Sequence, residues 1–134
     1  MDRIDKYGKL RRFSPGERLR SFRHAFRGIE TLLRYEHNAR IHLVILLIVI
    51  LAGIFLGISL TDWIAILFVS GLVIVSECFN TAIENLSDLL SDQKNEYIRM
   101  AKDVAAAGVL LSAIISAAVG LIIFVPAILK LVRR

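Results

Sequence analysis

The 134 residues suffice for one domain, and a hydrophobic content of 56% with a mean hydropathy of +0.64 lies above what a soluble domain of this size carries. The formal net charge of +5 is segregated: residues 1–42 hold eleven of the seventeen Lys and Arg, and the apolar runs come afterwards. That order argues against a nucleic-acid binder and for a membrane protein with a basic cytoplasmic end, while the lone Cys78 excludes an internal disulfide and reads as a small packing residue.

Residues 1–15 are charged and close on Ser14-Pro15-Gly16, a stop signal, so a loose basic arm is expected there. The first apolar run starts only beyond residue 40, which argues against a cleavable signal peptide. From Glu17 to Asn38 the pattern is helical. Leu19, Phe22, Phe26, Ile29 and Leu33 recur every three or four residues, with Arg18, Arg20, Arg23, Arg27, Glu30 and Arg34 mostly elsewhere. Such a basic amphipathic helix suits a membrane surface, each Arg contributing about 1 kcal/mol against anionic headgroups. A soluble helix packed on a core is the blander reading, disfavoured by the bilayer-length run that follows.

The stretch from Tyr35 to His42 is dense in polar groups, with Glu36 four residues before Arg40. Alone it is an interfacial collar with a weak helix pair; beside the carboxylates further on, Glu36 becomes a site candidate. Leu43 to Leu60 is an uncharged run of 18 residues, at the lower end of a span. Gly53 and Gly57 permit close helix contact. Thr61-Asp62 is the expected break, either residue capping the next helix, and the second span runs from Trp63 to about Asp88. Residues 89–103 are polar again, and Val104 to Leu129 is the third span. Ala105, Ala106, Ala107, Gly108, Ser112, Ala113, Ser116 and Ala117 make its first half small enough to sit inside a bundle. Pro126 is placed to bend or end it. The expected fold is therefore all-α, with three transmembrane helices behind a surface helix.

The second span carries the unusual chemistry, E-C-F-N-T-A-I-E-N-L-S-D from Glu77 to Asp88. A charge near the middle of a span costs about 2.5 to 3.5 kcal/mol on insertion scales. At about 100° per residue, Glu77, Asn80, Glu84 and Asp88 fall within about 80° of one another, a polar stripe about 16 Å long. The counts of Lys and Arg in the flanks put the N-terminus and second loop in the cytoplasm, against a minor conflict from Lys130, Arg133 and Arg134 at the other end. Glu36, the stripe and Lys102-Asp103 then meet at the cytoplasmic boundary. Carboxylates hold Mg²⁺, lysine offers a point charge to phosphate, and a carboxylate kept dry is a stronger base than one in water. Phosphoryl transfer fits this set, with Glu77, the deepest, as base and Glu84 better placed for metal. Neither G-x-x-x-x-G-K nor G-x-G-x-x-G occurs, which excludes the usual soluble kinases. The competing reading is a stripe that only holds helices together.

The pattern Glu77-x-x-Asn80-Thr-Ala-Ile-Glu84-x-x-x-Asp88, followed by Ala101-Lys102-Asp103, resembles the signature of the bacterial integral-membrane diacylglycerol kinase and undecaprenol kinase family. The resemblance covers roughly residues 17–129, including Glu36-x-Asn38-x-Arg40; the longer basic arm departs from it, so residues 1–15 are set apart from a lipid kinase domain over 16–134. It implies a homotrimer in the bacterial inner membrane that uses ATP and Mg²⁺ to phosphorylate a lipid alcohol. It also implies that Glu77 is the general base, that Glu36 and Glu84 hold metal with the nucleotide, and that Asn80, Lys102 and Asp103 position nucleotide and phosphate. Asp88 and Arg40 are implied to support the site, and Arg20 and Gly28 to lie near nucleotide. The stretch from Glu36 to His42 looks more like the undecaprenol branch than the diacylglycerol branch. A small multidrug exporter would need four spans and one isolated acid, and a non-catalytic membrane anchor would leave the stripe unexplained.

Overall fold

The computed structural model describes residues 15–90 and 95–133. Its elements are all helical: α1 (Pro15–Tyr35), α2 (His37–Leu56), α3 (Leu60–Leu90) and α4 (Glu96–Val132). The expected arm lies outside the described residues except for Pro15, which opens α1 rather than stopping the chain. Proline suits a first helical position, because its missing N–H has no partner there anyway.

The chain divides after Thr31 into two compact units. In the first, α1 carries Leu19, Phe22, Phe26 and Ile29 exposed along one flank. Ser21 and Thr31 donate their hydroxyls back to the carbonyls of Glu17 and Arg27 at 3.0 and 2.9 Å.

The second unit, from Leu32 onward, holds the three long apolar helices, each of a length and composition to cross a membrane. The helix expected to run to Asn38 stops at Tyr35, because Glu36 adopts an extended backbone and becomes the N-cap of α2. Its side chain makes no capping hydrogen bond, which leaves the carboxylate for other use.

The turn between α2 and α3 sits earlier than the Thr61-Asp62 break that the polar residues suggested. Gly57, at φ 61°, ends α2 in the left-handed region. Its N–H bonds the Ile54 carbonyl and that of Ile58 bonds the Gly53 carbonyl, both at 3.3 Å. These paired bonds form a Schellman cap, which favours glycine at this position. Ser59 then caps α3: its hydroxyl accepts from the Asp62 N–H at 3.2 Å, while Asp62 Oδ2 accepts from the Ser59 N–H at 3.0 Å. This is a reciprocal capping box, with Asp62 in the role usually taken by Glu. Gly53 has a different use from Gly57. A Cβ there would lie 2.9 Å from both Trp63 Cη2 and Ile58 Cδ1, so the glycine lets the indole lie against α2.

α3 packs chiefly against α4, and α2 touches both. The buried positions of α3 step by three or four from Ile66 through Val69, Val73 and Glu77 to Asn80, with Thr81 beside it and Ser87 two turns on. Along one face the buried lining therefore changes from aliphatic to polar partway. Ala105, Val109, Ser112, Ser116 and Gly120 are among the less exposed residues of α4, whereas Ala106, Ala107, Gly108 and Ala117 are exposed, so within one chain α4 is not enclosed as expected. Helix α4 starts well before the apolar run because Asn95 caps it, its Oδ1 accepting from the Tyr97 N–H at 2.9 Å. It also continues through Pro126 to Val132, so the proline does not end it.

Candidate functional site

The helix lengths set the depth of each polar group. The twenty residues of α2 span about 30 Å, the thickness of a bilayer's hydrocarbon core. The 31 residues of α3 reach about 46 Å, so α3 overshoots. Measured from Leu60, Glu77 lies about 26 Å along the axis, just within the far boundary, while Glu84 at about 36 Å and Asp88 at about 42 Å lie beyond it. By length alone, the stripe starts within the thickness of a hydrocarbon core and ends well past it.

Glu77 is 1% exposed. A carboxylate so buried must be paired, protonated or aimed at a ligand. Its neighbour is His42, whose Nε2 lies 3.4 Å from Glu77 Oε1. That is an ion-pair distance without hydrogen-bond geometry, so Oε1 has no hydrogen-bond partner among the described residues. Glu36 and Glu84 lie near enough for their charges to act on Glu77. Among the described residues His42 is the titratable group at contact distance from the Glu77 carboxylate, and the carboxylates do not gather on one point.

Asn80 lies on the same stripe and is 7% exposed. It donates Nδ2–H to Glu84 Oε1 at 3.0 Å, orienting that carboxylate. The Asn80 Oδ1 and the Thr81 hydroxyl are buried and unpartnered among the described residues. Buried polar groups are seldom left unmet, so Glu77 Oε1, Asn80 Oδ1 and the Thr81 hydroxyl call for water, a neighbouring chain or a ligand.

Further out, Lys102 on α4 reaches across to Asp88 Oδ1 at 3.0 Å. Asp103 does not join that pair. It accepts from Arg99 Nη1 at 3.1 Å, and Arg99 also bonds Glu96, one turn back on the same exposed helix face. Arg40 is exposed and shares a shallow surface depression with His37, Ile41, Val44 and Ile45 rather than closing on the Glu36 carboxylate. Arg20 and Gly28 belong to the unit that ends at Thr31, where both are exposed on α1 and Gly28 has open space around it. Sequence reasoning missed His42 as a site residue. It read the polar collar along its own helix, whereas the partner sits on α3.

The donor set can be tested against Mg²⁺. Among the described residues no group of three His, Cys, Asp or Glu closes on one point to cage a metal. Mg²⁺ is seldom caged by protein alone; it is commonly held by one or two carboxylates together with substrate phosphates and water. The half-buried Glu84 and the uncommitted Glu36 match that pattern.

A family model described as prokaryotic diacylglycerol kinase matches residues 23–124, taking in α2, α3, the charge cluster and most of α4. The chain is 36% identical over 126 residues to an undecaprenol kinase of Bacillus subtilis (strain 168), covering 94% of this chain and 98% of that protein. It is also 36% identical over 112 residues to a diacylglycerol kinase of Synechocystis sp. (strain ATCC 27184 / PCC 6803 / Kazusa), covering 83% of this chain and 64% of the other. With Glu77 buried on a polar stripe of the expected spacing and a match across most of its length, the chain belongs to the prokaryotic diacylglycerol kinase family, a family of lipid kinases.

Proposed function

We propose that this chain transfers the terminal phosphate of ATP, taken as its Mg²⁺ complex, to the primary hydroxyl of a membrane lipid. The observation that carries this reading is Glu77, 1% exposed, with an Oε1 that no hydrogen bond satisfies. Glu77 takes the proton from the lipid hydroxyl as its oxygen attacks the γ-phosphorus, and ADP leaves with the bridging oxygen. Glu36 and Glu84 hold the metal, which when bound neutralises charge on the phosphate oxygens. Asn80 fixes the Glu84 carboxylate in place. Lys102 turns from Asp88 to the incoming phosphates, and Asp103, Arg20 and Gly28 contribute to nucleotide binding, with Arg40 and Asp88 in support.

Undecaprenol is favoured over diacylglycerol as the substrate. Both relatives are 36% identical to this chain; the nearly end-to-end alignment with the Bacillus protein named undecaprenol kinase, against 64% of the Synechocystis protein, supports that order. The proposed assembly is a homotrimer in the bacterial cytoplasmic membrane, the N-terminus and site facing the cytoplasm and α1 lying on anionic headgroups. The kinase domain is proposed over 16–134 behind the arm. The unmet Asn80 and Thr81 acceptors and the largely uncovered α4 support a closed assembly, since one chain makes too small a bundle to enclose the site.

The test is transfer of label from γ-labelled ATP with Mg²⁺, offering undecaprenol and diacylglycerol separately in mixed micelles. Label on undecaprenol at the higher kcat/KM is expected. Label on neither lipid would replace the kinase with the non-catalytic membrane scaffold.

A further inference from the structure

We propose that His42 is a positioning residue for Glu77, one that holds the base in place and carries its proton out of its buried site. The inference rests on the reading of Glu77 as base. Its geometry comes from two helices: His42 Nε2 on α2 stands 3.4 Å from Glu77 Oε1 on α3, and the oxygen it faces lacks a hydrogen-bond partner. The two side chains differ sharply in exposure, 22% for His42 and 2% for Glu77, so the imidazole lies against the enclosed carboxylate and keeps part of its own surface open in the single chain. A base that starts a turnover as a carboxylate and ends it protonated has to be emptied before the next, and from a buried position it needs a carrier.

The other groups around the pair do not supply one. Glu36 and Glu84 act on Glu77 by charge, and both are committed to the nucleotide's metal in the reading above. On α4, the residues that share a cavity of about 60 Å³ with His42 are Ser116 and Gly120, which do not titrate in the working range. Lys102 of α4 is held by Asp88. Imidazole is also the side chain suited to accept and release a proton near neutrality.

The steps balance as follows. The lipid oxygen forms its bond to the γ-phosphorus, and the lipid O–H bond breaks with its proton passing to Glu77 Oε1. The bond from γ-phosphorus to the bridging oxygen breaks, its electron pair leaving on ADP. His42 Nε2 then takes the proton from Glu77 and gives it to water, which restores the carboxylate. The 3.4 Å separation is long for proton transfer, and catalytic contacts of this kind commonly tighten when substrate is bound.

The test uses the full chain in lipid nanodiscs with ATP, Mg²⁺ and undecaprenol, comparing wild type, His42→Gln, His42→Ala and Glu77→Gln. Glutamine keeps a donor facing Glu77 but cannot relay a proton near neutrality. His42→Gln should lose about 100-fold in kcat, the low end of the range for a proton-transfer group, with KM for ATP unchanged and the neutral limb of the pH–rate profile gone. His42→Ala should fall similarly and regain activity when imidazole is added to the buffer. Wild-type kcat and pH profile in His42→Gln would overturn the inference, as would a loss carried wholly by KM for ATP. Circular dichroism and size-exclusion profiles report folding, and should His42→Ala fail them, His42→Gln decides alone. A silent Glu77→Gln beside an active wild type keeps the base reading standing whatever His42 does. An active Glu77→Gln would bring down both.

Discussion

Replacing Glu77 by glutamine is the sharpest probe of the site. The two side chains have nearly the same shape, and at 1% exposure the position leaves little room for rearrangement. The change removes the capacity to accept the lipid's proton and leaves the stripe's packing intact. A positioned proton acceptor is worth about 10²- to 10⁴-fold in rate, which at 1.36 kcal/mol per tenfold is about 2.7 to 5.4 kcal/mol of barrier. The loss should therefore fall in kcat by at least about 100-fold. Affinity for ATP should hold, because Glu84 and the Asp88 that Lys102 pairs with, which mark the nucleotide end in this reading, lie about 10 Å and more further along α3. Label transfer to undecaprenol measures the first quantity, and equilibrium binding of a fluorescent ATP analogue to the same preparation measures the second. Loss of binding together with transfer would make Glu77 a nucleotide or metal ligand. Retention of most of the transfer would remove it from the chemistry altogether.

Other substitutions read neighbouring parts of the structure. Glu84→Gln should raise the Mg²⁺ concentration needed for half-maximal activity, and an unshifted metal titration would end its proposed role as ligand. Lys102→Met should weaken ATP binding, whereas Asp88→Asn should shift the unfolding midpoint little, because the exposed pair they form is worth about 0 to 1 kcal/mol; a large fall in stability from Asp88→Asn would give the pair a structural role. Gly53→Ala should destabilise the hairpin by about 1 to 3 kcal/mol in detergent unfolding, since the new methyl meets Trp63 and Ile58 at 2.9 Å. An unchanged midpoint would mean that the indole can simply swing aside.

Much of this architecture is legible in the residue order, for a physical reason. Long apolar runs have few alternatives to a spanning helix, and Glu77, Asn80 and Glu84 recur at the spacing of one helical face whatever surrounds them. The turn was legible only in part. Thr61-Asp62 stood out as polar, but Asp62 acts through Ser59, and the change of direction belongs to Gly57, which inside a long apolar run looks like a packing glycine. The early start of α4 was hidden because the charged Glu96, Arg99, Lys102 and Asp103 interrupt Tyr97, Ile98, Met100 and Ala101 before a continuous apolar run can show. Their helix is supported by the Asn95 cap and by Arg99 bridging Glu96 and Asp103. His42 was out of reach for another reason. Two histidines, His37 and His42, flank the entry to α2, and local spacing does not say which one faces a helix thirty-five residues later.

The depth of Glu77 bears on economy as well as rate. Any kinase holding an activated phosphoryl group risks losing it to water, whose concentration dwarfs that of every cellular alcohol. In the reading proposed above the base is Glu77, placed by length inside the boundary that α2 marks out, where hydrocarbon tails would keep water rare and amphiphiles would bring their hydroxyls by default. In the proposed reaction the bilayer itself becomes a selectivity filter: a nucleophile must be greasy enough to arrive, and futile consumption of ATP is suppressed without a lid ever having to close.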